Sequence, residues 1–436
     1  MARFFVQNFG CRATQADGAA LAALLAARGH QEWGERRSAD LVILNTCTVT
    51  AAADEDVRHA VRRVHRENPE ARILVTGCYA QRSPEELASL PGVRWVVGNS
   101  HKTAIPDILD EPASAFDFHG EIRAGDIGAH RDFLSAPVED ASGDRHRPNL
   151  KIQDGCNNRC SFCIIPSVRG PSRSAPAGDV VQQVRGLAAR YREVVLSGIN
   201  LGRWGRDPGR SGRERLASLV RRLLEETDIE RLRLSSIEPM DLSDSLLELM
   251  ASSPRIAPHV HAPLQSGSDA VLKRMKRRYR ARHYSDRLAL ARRLMPDAAI
   301  GADVMAGFPG ETEEEFEESR RFIESMPFTY LHVFTYSERP GTPAAAYPGR
   351  VPMEERKRRN AILREAGARK NREFRRRFVG RTLSAVTIGD GSAALSGNYI
   401  RIELSWRREP NRLVEVPVAQ LTPRGVAERN ALAVLG

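Results

Sequence analysis

Apolar positions in the first 110 residues fall into short continuous runs separated by segments with helical spacing. The runs at 4–8, 41–45, 73–76 and 93–97 have strand length, and the apolar character of 41–45 and 73–76 is that of buried strands. Segments 17–29, 54–67 and 84–90 instead repeat apolar residues every three or four positions and predict helices. The first ends at Gly29 and the second at Asn68-Pro69. Strand and helix alternating in this order predict a small parallel α/β domain.

The pattern lapses over 111–148, which is rich in Gly, Ala, Asp, Ser and His, and then resumes. Strands are predicted at 150–153, 193–196, 231–235, 259–262, 300–305 and 330–334, with helices between them such as 179–190. Six such units predict a full or partial parallel (βα) barrel with its site at the C-terminal strand ends. A strongly basic helix follows at 352–377. Short β-type runs at 383–388, 399–404 and 413–418 then predict a small antiparallel β-barrel of OB-like size. The fold class is therefore α/β, with an N-terminal domain at 1–110, a linker at 111–145, a central barrel domain at 146–375 and a terminal barrel at 376–436.

Composition narrows the function classes. The chain has 436 residues, and its longest helix-like apolar run, 19–27, is too short to span a bilayer. Residues 1–10 carry no signal-peptide pattern, so a cytoplasmic protein with reduced cysteines is expected, without a membrane partner. Six cysteines are too few for a disulfide scaffold in a chain of this length. The net charge of +11 is a weak pointer to nucleic acid, because only six of the 66 basic residues are lysine and such Arg bias can have other origins. Its placement says more. Twelve basic residues lie in 353–381, just before the terminal barrel, and seven lie in 273–282. Aromatic residues are sparse, so stacking on bases falls to isolated residues such as Tyr399.

The cysteines carry the chemistry. Cys156, Cys160 and Cys163 form a C-x3-C-x2-C loop directly after a predicted strand. Structural zinc wants four ligands, and the nearest His is His146, ten residues before Cys156. An iron–sulfur cube held by three thiolates keeps one iron open to a cofactor, and suits this loop better than zinc, which stays as the alternative. Cys11, Cys47 and Cys78 each follow a predicted strand of the first domain. In an open parallel sheet such strand ends share one edge, so the three can meet.

Residues 151–174, KIQDGCNNRCSFCIIPSVRGPSRS, closely resemble the cluster loop of the radical S-adenosylmethionine (SAM) methylthiotransferases. The resemblance extends over nearly the whole chain. Gly10-Cys11, the run from Asn45 to Thr50 and Thr76-Gly77-Cys78 resemble the family's auxiliary-cluster positions, and the terminal barrel resembles a TRAM domain, an RNA-binding module. The stretches 234–239, 263–269 and 336–343 are most similar to the branch that acts on tRNA threonylcarbamoyladenosine. They are less similar to the branches that act on isopentenyladenosine or on a ribosomal-protein aspartate.

The resemblance implies two [4Fe–4S] clusters, one on Cys156, Cys160 and Cys163 and one on Cys11, Cys47 and Cys78. SAM would serve as both radical source and methyl donor. The implied reaction places a methylthio group on C2 of N6-threonylcarbamoyladenosine at position 37 of tRNA. The implied partners are the tRNA anticodon stem-loop, an electron donor such as flavodoxin or ferredoxin, and a sulfur source. Candidate SAM contacts are Gly198 and Asn200 after the second barrel strand, Glu238 after the third, Gln265 and Ser266 after the fourth, and Asp303 on the fifth. Arg169 and Arg173, beside the cluster loop, are candidates to neutralise a cofactor anion or an RNA phosphate. Two positions depart from the family pattern, Thr14 for the usual Asn and Ala175 for the usual Arg. Methylthiolation of a protein side chain and a zinc-containing RNA-binding module without catalysis are the competing readings.

Overall fold

A computed structural model describes residues 1–111, 120–134, 146–207 and 215–429. The first domain is a six-stranded, wholly parallel sheet. Its strands are β1 (Arg3–Asn8), β2 (Gln31–Glu32), β3 (Leu41–Thr46), β4 (Arg72–Gly77), β5 (Val93–Gly98) and β6 (Glu121–Arg123), in the order β2-β1-β3-β4-β5-β6. Every residue of β3 is buried, which is why Leu41–Leu44 are apolar without alternation.

The two edge strands were not legible in the pattern. β2 is two exposed polar residues, and β6 lies inside the stretch predicted as a linker. Of that stretch, 112–119 and 135–145 lie outside the described residues. The first helix spans Arg12–Ala27 and starts earlier than predicted. Its N-cap is Cys11, with no side-chain cap and no acidic residue in the first turn, so the usual start signals are missing.

The central domain is a partial barrel. Strands β7 (Asn149–Asp154), β9 (Glu193–Gly198) and β10 (Arg231–Leu234) run parallel, with β8 (Arg173–Ser174) antiparallel on the outer edge of β7. A second parallel set holds β11 (His259–His261), β12 (Ala299–Ala306) and β13 (Tyr330–Thr335). The bridge between Leu232 and Ile256 joins the two sets. Val194 and Leu196 of β9 point into the apolar layer under the surrounding helices. Glu193, Val195 and Ser197 alternate with them and line the barrel interior. The helix Arg12–Ala27 packs against β7 and β9, so the first domain sits against the open side of the barrel.

The terminal domain is a closed five-stranded barrel of β14 (Thr382–Ile388), β15 (Ala393–Ser396), β16 (Arg401–Glu403), β17 (Leu413–Leu421) and β18 (Val426–Glu428). Its pairs are antiparallel except the closing pair β16 and β18. The long basic helix, Met353–Arg376, is less available to a polyanion than its composition predicts. Arg356 hydrogen-bonds the backbone oxygens of Val351 and Tyr336, Arg359 pairs with Glu311, Glu313 and Glu355, and Arg375 binds the oxygens of Thr422 and Gly425. Those cations dock the helix to its own protein. Among the described residues no helix is long and apolar enough to cross a membrane.

A buried ion pair ties the terminal barrel to the central one. Arg233 binds Glu193 through Nε at 2.7 Å and Nη2 at 3.1 Å, and also donates to the Gly397 and Ser396 carbonyls. Burial opposes ionisation of Glu193, but Arg233, Arg147 and Arg231 outweigh it and lower its pKa from 4.5 to about 2. A depressed carboxyl stabilises the fold fully above its unfolded value and loses that contribution as pH falls toward its folded one. Resistance to urea is therefore expected to fall as pH drops from 4.5 to about 2 in the native chain. Glu193→Gln should flatten that limb and, by leaving Arg233 without its buried partner, cost about 3–5 kcal/mol at pH 7.

Candidate active site

The first cysteine triple assembles as the strand order requires. Asn8 of β1 is level with Asn45 of β3, which is level with Thr76 of β4, so Cys11, Cys47 and Cys78 leave one edge of three neighbouring strands. That edge lies where the strand order reverses between β1 and β3, the usual ligand position in an open α/β sheet. Gly10 holds φ +96°, and a Cβ there would lie 2.8 Å from the Cys47 sulfur, so only glycine admits the approach. Cys47 and Cys78 are buried and Cys11 is exposed. Burial, and then the neighbouring Cys78 and Cys11 sulfurs, push the Cys47 thiol up to about 12. Asn99 Nδ2 donates to the Cys78 sulfur at 3.6 Å. Thr14, the first departure from the family pattern, is fully buried with its hydroxyl 3.5 Å from the Cys11 sulfur.

The second triple sits in the loop leaving β7. The Cys156 sulfur accepts from the Asn158 N–H at 3.4 Å and from Asn200 Nδ2 at 3.6 Å. The Cys160 sulfur accepts from Arg277 Nη1 at 3.3 Å. Burial pushes the Cys163 thiol up to about 12, with the Cys160 and Cys156 sulfurs adding to it. Donors aimed at sulfur lower the energy of thiolates and of the clusters they hold.

The two triples are neighbours across the short helix Ile165–Arg169. Ile164 and Val168 pack on Cys78. Arg169 is buried, donating to Asp154 at 2.9 Å and Asp17 at 3.0 Å, with Thr14 Oγ1 at 3.5 Å. Lys102 and Lys151 complete the network on Asp17, and Arg173 lies 3.5 Å from Asp154. Burial alone would raise the pKa of Asp17, but Lys102, Lys151 and Arg169 hold it well below the usual carboxylate range. Arg169 and Arg173 are thus buried in this network, with Arg169 close enough to Cys78 and Cys11 to act on them electrostatically.

The remaining sequence-predicted residues divide. Gly198 passes so close to β7 that a Cβ would lie 2.9 Å from Gln153 Oε1. That oxygen accepts the Asn200 N–H at 2.6 Å and so fixes the turn that brings Asn200 to Cys156. Glu238 pairs with Arg277, the donor to Cys160, and burial raises its pKa against that pairing. Gln265 adopts φ +65°, while Ser266 is fully buried and spends its hydroxyl on the Ser268 N–H. Asp303 lies between His261 at 3.2 Å and His332 at 3.3 Å. Burial opposes its ionisation, but both imidazoles hold it well below the usual range.

Arg277, Gln153, His261 and His332 are site residues that the sequence reading missed. Arg277 was counted within a basic run facing RNA, and only the fold turns it inward, where its side chain is 4% exposed. Ala175, the second departure, packs in the barrel core, and its carbonyl accepts from Trp204 Nε1.

A cavity of about 400 Å³ joins these parts. Cys11 lines one wall, and Gly198, Ser235, His261, Asp303 and Tyr399 line the others. Tyr399 stacks on His259 at 4.9 Å and receives Arg12 at 3.5 Å, so it closes the cavity instead of standing on an open barrel face. Tyr330, His332 and Tyr399 also line a cleft of about 900 Å³ between β13, the basic helix and the terminal barrel. Arg147, Arg364, Arg401 and Arg424 border it.

A parallel partial barrel whose first strand runs into C-x3-C-x2-C defines a radical SAM protein, and residues 150–323 match the radical SAM superfamily. Residues 3–98 match a family described as uncharacterized protein family UPF0004. The chain belongs to the radical SAM methylthiotransferase family, on its MtaB-like side. It is 36% identical to the threonylcarbamoyladenosine tRNA methylthiotransferase MtaB of Aquifex aeolicus (strain VF5), over 94% of this chain and 98% of that one. It is 35% identical to the tRNA-2-methylthio-N(6)-dimethylallyladenosine synthase of Thermobifida fusca (strain YX), over 95% of this chain and 83% of that one. In fold it resembles the radical SAM methyltransferase TsrM of Kitasatospora setae, solved with cobalamin and a [4Fe–4S] cluster. The TM-score is 0.57 at 16% identity, covering 79% of this chain and 77% of that one. Membership of the superfamily implies SAM and a [4Fe–4S] cluster, and the loop of three thiols with its Asn200 and Arg277 donors suits that group.

Proposed function

We propose that this protein methylthiolates C2 of N6-threonylcarbamoyladenosine at position 37 of tRNA. The observation that carries the reading is the cavity. It has a cysteine of the first triple on one wall and barrel strand ends beside the second triple on another. Cys156, Cys160 and Cys163 would hold the SAM-binding cluster, and Cys11, Cys47 and Cys78 a second cluster. Together these groups would supply radical, methyl and sulfur chemistry for an aromatic C–H that acid–base catalysis does not displace. The chain's own residues set the stage for it. Arg277 donates to the Cys160 sulfur while Glu238 holds its guanidinium in place. Gln153 shapes the Gly198–Asn200 turn toward the cofactor face. Tyr399, held by Arg12, lines the cavity beside Cys11.

The threonylcarbamoyladenosine substrate rests on the MtaB relatives. The dimethylallyladenosine relative supports the runner-up, the same reaction on isopentenyladenosine. A tRNA substrate places the work in the cytoplasm, with a low-potential donor such as flavodoxin or ferredoxin and a sulfur source as partners. Mass spectrometry of tRNA nucleosides from a strain lacking the protein tests the assignment. Loss of methylthio-threonylcarbamoyladenosine alone is expected. Loss of the isopentenyl form would transfer the assignment to the runner-up, and unchanged nucleosides would overturn a tRNA substrate.

The anticodon arm would lie in the cleft bordered by Arg147, Arg364, Arg401 and Arg424. Each phosphate contact removed lowers the salt slope of binding by about one unit. Arg401→Ala and Arg424→Ala are therefore expected to weaken tRNA binding, each with a shallower salt dependence in a filter-binding titration. An unchanged slope in both would place the RNA elsewhere.

A further inference from the structure

The interior of the barrel carries a cluster that the cysteine chemistry does not use. His261 of β11, Asp303 of β12 and His332 of β13 present one imidazole nitrogen, one carboxylate oxygen and one imidazole nitrogen, all within 4.8 Å of one another. We propose that this trio is a binding site for a first-row divalent cation of the zinc type, separate from both cysteine triples.

Three observations converge on it. His261 Nε2 and His332 Nδ1 lie 3.2 Å and 3.3 Å from the same Asp303 oxygen. With metal bonds of about 2.1 Å, ligand atoms around a tetrahedral ion sit about 3.4 Å apart, close to both values. His261 is 7% exposed, yet its Nε2 makes no hydrogen bond of proper geometry, even to Asp303. A buried ring nitrogen left so, against a carboxylate oxygen, is at rest when a cation lies between them. The other nitrogen, Nδ1, is held by Ser236 Oγ at 2.7 Å. That hydroxyl can accept from Nδ1–H, the tautomer that leaves Nε2 as the electron-pair donor of a ligating imidazole.

Two His and one carboxylate form the donor set of open zinc and iron(II) sites, which keep further positions for an exogenous oxygen. Those positions have room here, because all three residues line the cavity. The ring of Tyr330 stacks on the His261 imidazole at 5.9 Å and meets that of His332 at a tilt, 5.3 Å away. The ligand the site would take is a divalent cation completed by a carboxylate, hydroxyl or carbonyl oxygen of a molecule in the cavity.

The test uses the anaerobically reconstituted holoenzyme, loaded with zinc chloride and passed over a chelating column. Iron, sulfide and zinc are then counted for the native chain, His332→Ala and Asp303→Asn. His332 has a half-exposed side chain, so its replacement should leave the fold and the iron and sulfide content unchanged. The native chain is expected to retain about one zinc that both variants lose, with a zinc-edge absorption spectrum fitted by nitrogen and oxygen alone. Equal zinc in the native chain and the variants would overturn the proposal. So would sulfur in the zinc shell at about 2.3 Å, which would place the metal on cysteines.

Discussion

Cys156→Ala will abolish SAM cleavage, whereas Cys11→Ala will leave cleavage running with no methylthiolated product. Each variant loses one thiolate from a set of three, and a cube on two protein ligands has no comparable hold. Iron should fall by about four atoms per chain in each case, the content of one cube. The separation of the two outcomes follows from position. Cys156 stands beside Asn200 and the β9 turn, while Cys11 stands on a wall of the cavity at the start of the helix Arg12–Ala27. Anaerobic assays of 5′-deoxyadenosine and of modified nucleoside, run with iron analysis on the same samples, separate the two activities. Product from Cys11→Ala would overturn the proposal that a cluster on Cys11, Cys47 and Cys78 supplies the transferred sulfur.

The second large effect is expected at Arg169, on stability and not on chemistry alone. Arg169→Met leaves Asp17 and Asp154 short of a cation at buried positions, which should cost about 3–5 kcal/mol. Arg169→Lys should recover only part of this, because a point charge cannot reach both carboxylates as the planar guanidinium does. Asp17→Asn in the Arg169→Met background should be less damaging than the two single losses added, since both act in one network. Urea denaturation of the native chain and the four variants, Asp17→Asn alone among them, measures all three statements. Additive losses would mean that the network is not a unit. Because Arg169 also meets Thr14 beside Cys11, the same variant should loosen the contact between the two cysteine loops.

The periodicity of the chain located the main strands and helices to within a few residues. It did so because a parallel strand buried on both faces is mostly apolar without alternation, as Leu41–Leu44 of β3 are. It missed β2, β6, β8, β15 and β18, which are short or follow no alternation, and it started the first helix late for want of a capping residue. Among the site residues, spacing marked the loop of Cys156, Cys160 and Cys163. The strand-end positions of Cys11, Cys47 and Cys78 allowed their meeting without requiring it.

Local pattern alone therefore determined the element types, the three-part α/β architecture and the cysteines that carry the chemistry. Periodicity reports which face of an element is apolar, and loop spacing reports which ligands can reach one point. The tertiary structure alone decided that Arg277 turns inward to Cys160, that Arg169 joins Asp17 to Asp154, and that His261, Asp303 and His332 meet across three strands. It also decided that much of the basic helix spends its charge on its own protein. The physical reason is the same in each case. These partners come from separate elements, often more than a hundred residues apart, and only the register and packing of the sheets bring them within a few ångströms.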